Sequence, residues 1–227
     1  MNSSHHLLIP ILDNPWFWIA GAYLLGALPF AVWVGRRAGR DPRVNGSKNP
    51  GASNVARTAG IRWGLITLFL DACKGSLIPA LILGGYLISD PQQLPQQEAN
   101  ELFSRITWHS GLNEWAAFTG ISAVLGHITS PFLNFKGGRG VATALGVMFA
   151  LHAGLASLSI FVWLTVLMLS RTPAWSSLAL SACFIIFSQA NNVDDSVRIF
   201  SVCAAALMII RHWTHLKKLY NSLSKTR

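Results

Sequence analysis

Charge is scarce in this chain, and negative charge is scarcest. Asp, Glu, Lys and Arg together make up 12% of the 227 residues, where a soluble domain carries roughly a quarter. The few charges cluster between apolar runs of membrane-spanning length, and 52% of the chain is apolar. An ordinary water-soluble domain is excluded, and the expected class is an all-α, polytopic membrane helix bundle forming a single domain over residues 1–227. Nine acidic residues against eighteen basic ones give a net charge of +9. In a membrane chain that excess reads as positive-inside bias and an anionic substrate, with no nucleic-acid partner. Cysteine is also sparse. Cys73, Cys183 and Cys203 lie inside apolar runs without C-x-x-C or metal spacing, so they are expected to be small buried hydrophobes and say nothing of redox compartment. Residues 1–14 lack a basic n-region, so a cleaved signal peptide is not expected. No internal repeat is visible.

The first apolar run, residues 16–34, is interrupted only by glycines and Pro29 and begins with Trp16 and Trp18, suited to an interfacial aromatic belt. Arg36, Arg37, Arg40, Arg43 and Lys48 follow it and mark the cytoplasmic side. The second run, residues 65–88, carries Asp71 and Lys74, whose i, i+3 spacing places them together on one helix face. Charges at that depth either pair to fix helix packing or serve a site. Gly64, Gly75, Gly84 and Gly85 would allow close helix approach. Residues 89–114 are polar, with Pro91, Pro95 and three glutamates. They read as an outer loop, with room for a short surface helix over 97–106.

A third run, 115–135, returns to the inner side. Residues 139–171 are either one long helix or a hairpin turning at His152-Ala153-Gly154. Two more runs, 175–189 and 197–210, precede a basic tail that must lie on the same side as Lys136, so the hairpin is preferred. The result is seven transmembrane helices, with the N-terminus periplasmic and the C-terminus cytoplasmic. Fifteen of the eighteen basic residues then fall inside, and Arg105 and Arg198 fall outside with most of the acidic ones.

Two short polar stretches carry the chemistry. Residues 46–58 read G-S-K-N-P-G-A-S-N-V-A-R-T. Gly46 and Gly51 can take backbone angles closed to other residues, and amides freed by such a turn can cradle an anion. Lys48 and Arg57 add positive charge, while Ser47, Asn49, Ser53 and Asn54 add neutral donors. The plainer alternative is an inter-helix loop with Ser47 or Ser53 as an N-cap. Residues 126–146 read G-H-I-T-S-P-F-L-N-F-K-G-G-R-G-V-A-T-A-L-G. Lys136-Gly137-Gly138-Arg139-Gly140 precedes a helix starting near Val141, and free amides with two flanking cations at a helix start make a phosphate site. The spacing is not that of a Walker loop. A lone His127 in that setting is more often a packing or hydrogen-bonding residue than a base. The sequence holds no Ser-His-Asp set, and no metal-ligand cluster lies on the inner side, so neither metal nor cofactor is expected.

These motifs, together with L-D-A-C-K-G-S-L-I-P at 70–79, resemble the acyl-phosphate:glycerol-3-phosphate acyltransferase (PlsY) family in the same order along the chain. The resemblance implies a multi-pass enzyme of the bacterial inner membrane whose active site faces the cytoplasm and which acts as a monomer. Its partners would be acyl phosphate as donor, glycerol 3-phosphate as acceptor and membrane lipid around them. It implies catalytic roles for Ser47 and Arg57. It implies substrate contacts from Lys48, Asn49, Gly51, Asn54, His127, Lys136, Gly137, Gly138, Arg139, Gly140, Thr143 and His212. Arg139 stands where a lysine is usual. The family's third motif, R-H-R-E-N-I-x-R, is met only in part by R-H-W-T-H-L-K-K from Arg211, with Thr214 for the acidic residue and His215 for the asparagine. The H-x-x-x-x-D motif of other glycerol-phosphate acyltransferases is missing; His109 with Glu114 has the spacing by chance. Intramembrane charges would also suit a transporter of a phosphorylated solute, and the altered tail would suit a non-catalytic assembly protein.

Overall fold

The computed structural model describes residues 14–88, 112–190 and 193–223. The expected surface helix at 97–106 and the His109 spacing lie outside them, as do the four residues ending the basic tail. Every regular element among the described residues is helical.

Helix α1, Pro15–Ala27, starts at Asn14, whose side chain accepts a 3.0 Å hydrogen bond from the Trp16 amide, with Pro15 in the first turn where its missing N–H is harmless. The first apolar run is not continuous. Pro29 cannot donate to the helical ladder, and the chain breaks at Leu28 before α2, Phe30–Arg37. The carbonyls exposed at the break are met from elsewhere in the chain: Ser130 Oγ, in the turn after α5, donates to Ala27 O at 2.6 Å and Lys74 Nζ of α4 donates to Leu28 O at 2.7 Å. A cation at a helix C-terminus is favoured by the helix dipole, so Lys74 has a structural reason to lie in the membrane.

The short α3, Ala52–Ala59, leads into the long α4, Ile61–Ile88. Helix α5, Leu112–Ile128, is followed by a 3-10 turn, Pro131–Leu133. Helices α6, Val141–Leu151, and α7, Ala153–Ser170, are separated at His152, whose Nδ1 accepts from the Leu155 amide at 3.1 Å and caps α7. The ambiguous stretch is therefore two helices, divided where His152-Ala153-Gly154 indicated. Helices α8, Pro173–Ser188, and α9, Asp195–Leu223, complete the chain.

Among the described residues, five helical segments are long and apolar enough to cross a membrane: Pro15–Arg37, Ile61–Gly84, Asn113–Leu133, Ala153–Ser170 and Asp195–Trp213. Val141–Leu151 and Pro173–Ser188 are apolar but shorter; the first, at about 1.5 Å per residue, reaches roughly half the hydrocarbon thickness. Large apolar side chains such as Phe69, Phe161, Met168, Leu169 and Ile210 point outward, as lipid-facing surfaces require. Inside, Met148, Leu180, Phe184, Phe200 and Met208 form the principal core between α5, α6, α8 and α9.

Close helix contacts rest on missing side chains. A Cβ on Gly75 of α4 would meet Thr143 O of α6, and one on Gly146 of α6 would meet Ala72 O of α4. Gly64 lies against Ala56 of α3 as expected, but Gly84 faces open space and holds no interface. Cys183 is buried as expected, Cys203 is half-buried, and Cys73 is exposed because it occupies the outward face of α4.

Candidate active site

The first loop is built from within by Asn54. Its side-chain carbonyl accepts from the Ser47 amide at 2.9 Å, and its amide donates to Pro42 O, Asn45 O and Asn49 O at 2.9–3.1 Å. Asn54 is 2% exposed. Its donors and acceptor are committed to loop backbone, so it shapes the site rather than facing a ligand, contrary to the expectation of a substrate contact. Gly51 caps α3 without help from any side chain, so neither Ser47 nor Ser53 is an N-cap. Gly46 adopts the left-handed region at φ +61°, whereas Gly51 is extended at φ −146° and Lys48 takes the left-handed conformation at φ +59°. Ser47, Lys48 and Arg57 are exposed around this frame, with Asn49 half-buried beside them. At the loop's base, Asp41 accepts from Arg36 and Arg43 at 3.0 and 2.7 Å; the Arg43 hydrogen bond holds its carboxyl well below the usual carboxylate range.

The second loop packs on the end of α5. The Gly137 and Gly138 amides donate to Ile128 O and His127 O, both at 3.1 Å. These two amides, expected to be free, are occupied by the protein. What remains open is the start of α6, where Gly140 takes φ +84° and the first helical amides have no carbonyl in their own helix. Lys136 is exposed and Arg139 half-buried at this end. Thr143 and His212, both expected at the substrate, are buried at 0% and 1% exposure. Thr143 packs against Gly75 of α4, and His212 Nδ1 lies 2.7 Å from Met208 O of its own helix.

Arg211 was not among the expected site residues. Its guanidinium donates to Gly137 O at 2.8 Å and Gly138 O at 3.3 Å, tying α9 to the second loop. The signal was present in the sequence as the first residue of the partial third motif, but the contact spans more than seventy positions.

Beneath the loops, Lys74 Nζ and Asp71 Oδ1 pair at 2.9 Å with both side chains almost wholly buried, and the Lys74 ammonium also lies 5.7 Å from the Phe30 ring centroid. His127 Nδ1 stands 3.7 Å from Asp71 Oδ1. These groups, with Leu28, Pro50, Ser130 and Gly138, line a small cavity joining the α1–α2 break to the bases of both loops. The pairing expected from the i, i+3 spacing is present. Removing one partner strands a buried charge, an effect on the order of 3–5 kcal/mol, whereas removing both strands none. Lys74→Ala and Asp71→Ala are each expected to lower the melting temperature strongly, with the double variant less impaired than the sum of the two. A Lys74→Ala protein of wild-type stability with a greatly raised Michaelis constant would instead make Lys74 a substrate ligand.

Like charges from both loops lie near one another. Burial, followed by the nearby Arg211 and Arg57 guanidiniums, pushes the Arg139 pKa below its ordinary value. Among the described residues none of these three arginines makes an ion pair with a carboxylate. A cluster of like charges unpaired among the described residues raises the local concentration of anions. With span-length apolar helices beneath it, the arrangement is that of a membrane protein with a cationic, glycine-rich site on its polar loops.

The family model for glycerol-3-phosphate acyltransferase matches residues 16–222. A glycerol-3-phosphate acyltransferase of Aquifex aeolicus is 35% identical, covering 89% of this chain and 94% of that protein. One from Trichlorobacter lovleyi is 37% identical over 89% and 92% of the two chains. The crystal structure of PlsY, an integral membrane glycerol 3-phosphate acyltransferase, in its glycerol 3-phosphate form superposes with a TM-score of 0.74 at 30% identity, covering 92% of each chain. The chain belongs to the glycerol-3-phosphate acyltransferase family. Membership does not favour the solute-transporter reading.

Proposed function

We propose that this protein transfers a fatty acyl group from acyl phosphate to the 1-hydroxyl of sn-glycerol 3-phosphate, releasing 1-acylglycerol 3-phosphate (lysophosphatidic acid) and inorganic phosphate. The observation that carries the reading is that Arg57 of the first motif and Arg211 of α9 lie near enough to Arg139 of the second loop to disfavour its charged form, while among the described residues no carboxylate pairs with any of the three. The acceptor oxygen attacks the acyl carbon, an ester C–O bond forms, and the bond to the phosphate oxygen breaks with its electron pair. The hydroxyl proton passes to a phosphate oxygen, so no strong side-chain base is required. Cations and amides that meet charge developing on the carbonyl and leaving phosphate supply much of the acceleration, and alignment of the acceptor supplies another large share.

In this reading Ser47 and Arg57 serve the transition state. Lys48, Asn49, Lys136, Arg139 and the start of α6 hold the two phosphates, with Asn54 and Arg211 fixing the loops that carry them. The single domain crosses the bacterial inner membrane seven times, the short α6 and α8 included, with the N-terminus outside and the site and C-terminus cytoplasmic. A monomer suffices. Reporter fusions at each terminus test the orientation. The reaction is tested by giving purified protein labelled glycerol 3-phosphate with acyl phosphate, acyl-CoA or acyl-carrier protein separately. Product only with acyl phosphate is expected; product from either thioester alone would refute the donor assignment.

Among the described residues no group of three or more His, Cys, Asp or Glu side chains is placed to hold a metal. Full activity after exhaustive chelation is expected, and activity lost to chelation and restored by one divalent ion would overturn the prediction.

A further inference from the structure

His127 lies between the buried ion pair and the second glycine loop. The side chain is 6% exposed, and its Nδ1 has no hydrogen-bond partner, facing Asp71 Oδ1 across 3.7 Å. Its backbone carbonyl accepts from the Gly138 amide at 3.1 Å. The opposite edge of the ring fits the missing side chain of Gly138. A Cβ built there would fall on His127 Nε2, with Cε1 at 2.9 Å and Cδ2 at 3.1 Å, and all three nearest atoms belong to this one ring. A ring so covered acts on the loop rather than on a ligand within it.

We infer that His127 is a positioning residue for the acceptor phosphate: its imidazole fills the space a side chain at position 138 would need, and so sets how deep the second loop sits against α5. The assignment rests on the proposed reaction, in which that loop holds glycerol 3-phosphate. A flat ring suits the place because it fits beneath the loop backbone while turning a polar edge to Asp71, where an aliphatic side chain would press hydrocarbon on a buried ion pair. The cavity lined by Pro50, Lys74, His127 and Gly138 places the base of the first loop on the same support.

The test is a steric exchange. His127→Ala removes the ring, Gly138→Ala adds a methyl group that collides with it, and the double variant puts the methyl group into the space the ring vacated. Binding of glycerol 3-phosphate is measured by calorimetric titration of detergent-purified protein without donor, and kcat and KM are measured for both substrates. Each single variant is expected to weaken acceptor binding and raise its KM by about tenfold or more, leaving kcat and the acyl-phosphate KM within about threefold. The double variant is expected to return acceptor binding to within about threefold of wild type. Should Gly138→Ala fail to fold, His127→Ala and the double variant decide the matter alone.

A double variant no better than His127→Ala overturns the inference. So does a His127→Ala enzyme with reduced kcat and unchanged KM, since that pattern belongs to a group taking part in the chemistry. The donor-free titration separates this inference from the reaction. Wild-type protein that binds glycerol 3-phosphate and shows the exchange pattern, yet transfers no acyl group, would retain the positioning role and refute the reaction. Wild-type protein that does not bind glycerol 3-phosphate would refute both.

Discussion

Replacing Ser47 or Arg57 with alanine is expected to lower turnover by about 100-fold or more, the magnitude associated with loss of one preorganised donor to developing negative charge. Neither change should unfold the protein. Both side chains are exposed, and the loop that presents them is held by backbone bonds to Asn54, which neither substitution touches. The Arg57 guanidinium lies close enough to Arg139 to oppose its protonation, and that repulsion is relieved when a phosphate lies between them. Arg57→Lys would keep the charge but lose the planar fork that grips two oxygens together, so only partial recovery is expected. Turnover, melting temperature and membrane insertion measured side by side check the prediction. Near-normal turnover in either alanine variant would remove that residue from the site.

Gly137→Ala is expected to be nearly as damaging through geometry alone. A Cβ at this position would meet His127 O and, at 2.7 Å, Ile128 O. Both are backbone atoms at the end of α5 and cannot swing aside as a side chain would. The Gly137 amide and carbonyl are also engaged, with Ile128 O and Arg211 Nη2, so a displaced loop must break one or both bonds. Overpacking of this kind destabilises by roughly 1–3 kcal/mol, and a misplacement near 1 Å at a reacting centre can reduce the rate by about 100-fold. The kcat/KM for glycerol 3-phosphate should fall by about that factor, with a lowered melting temperature. In contrast to the His127–Gly138 exchange, no side-chain truncation should rescue it. Wild-type activity in Gly137→Ala would show that the loop does not carry the phosphate site.

The membrane class and the place of the two glycine loops could be read from the sequence, which also put the break near His152 and brought Asp71 and Lys74 onto one helix face. Each depends on partitioning or on neighbours within a turn or two: apolar length sets what crosses lipid, i, i+3 spacing brings two side chains together, and glycine beside cations marks an anion loop. Pro29 was visible too, but an apolar run gives no sign of whether a proline within it is tolerated or breaks the helix. The outcome depended on Ser130, from the turn after α5, and Lys74, from α4, meeting the freed carbonyls. Only the tertiary structure decided which polar groups remain available to a ligand. The Gly137 and Gly138 amides look free in sequence and are bonded to α5; Asn54 looks like a ligand and is the loop's inner frame; Thr143 and His212 are buried between helices. Arg211 joins the second loop across 74 residues. The physical reason is that a hydrogen-bonding group has no fixed assignment until its surroundings do, and those surroundings are supplied by segments distant in the chain.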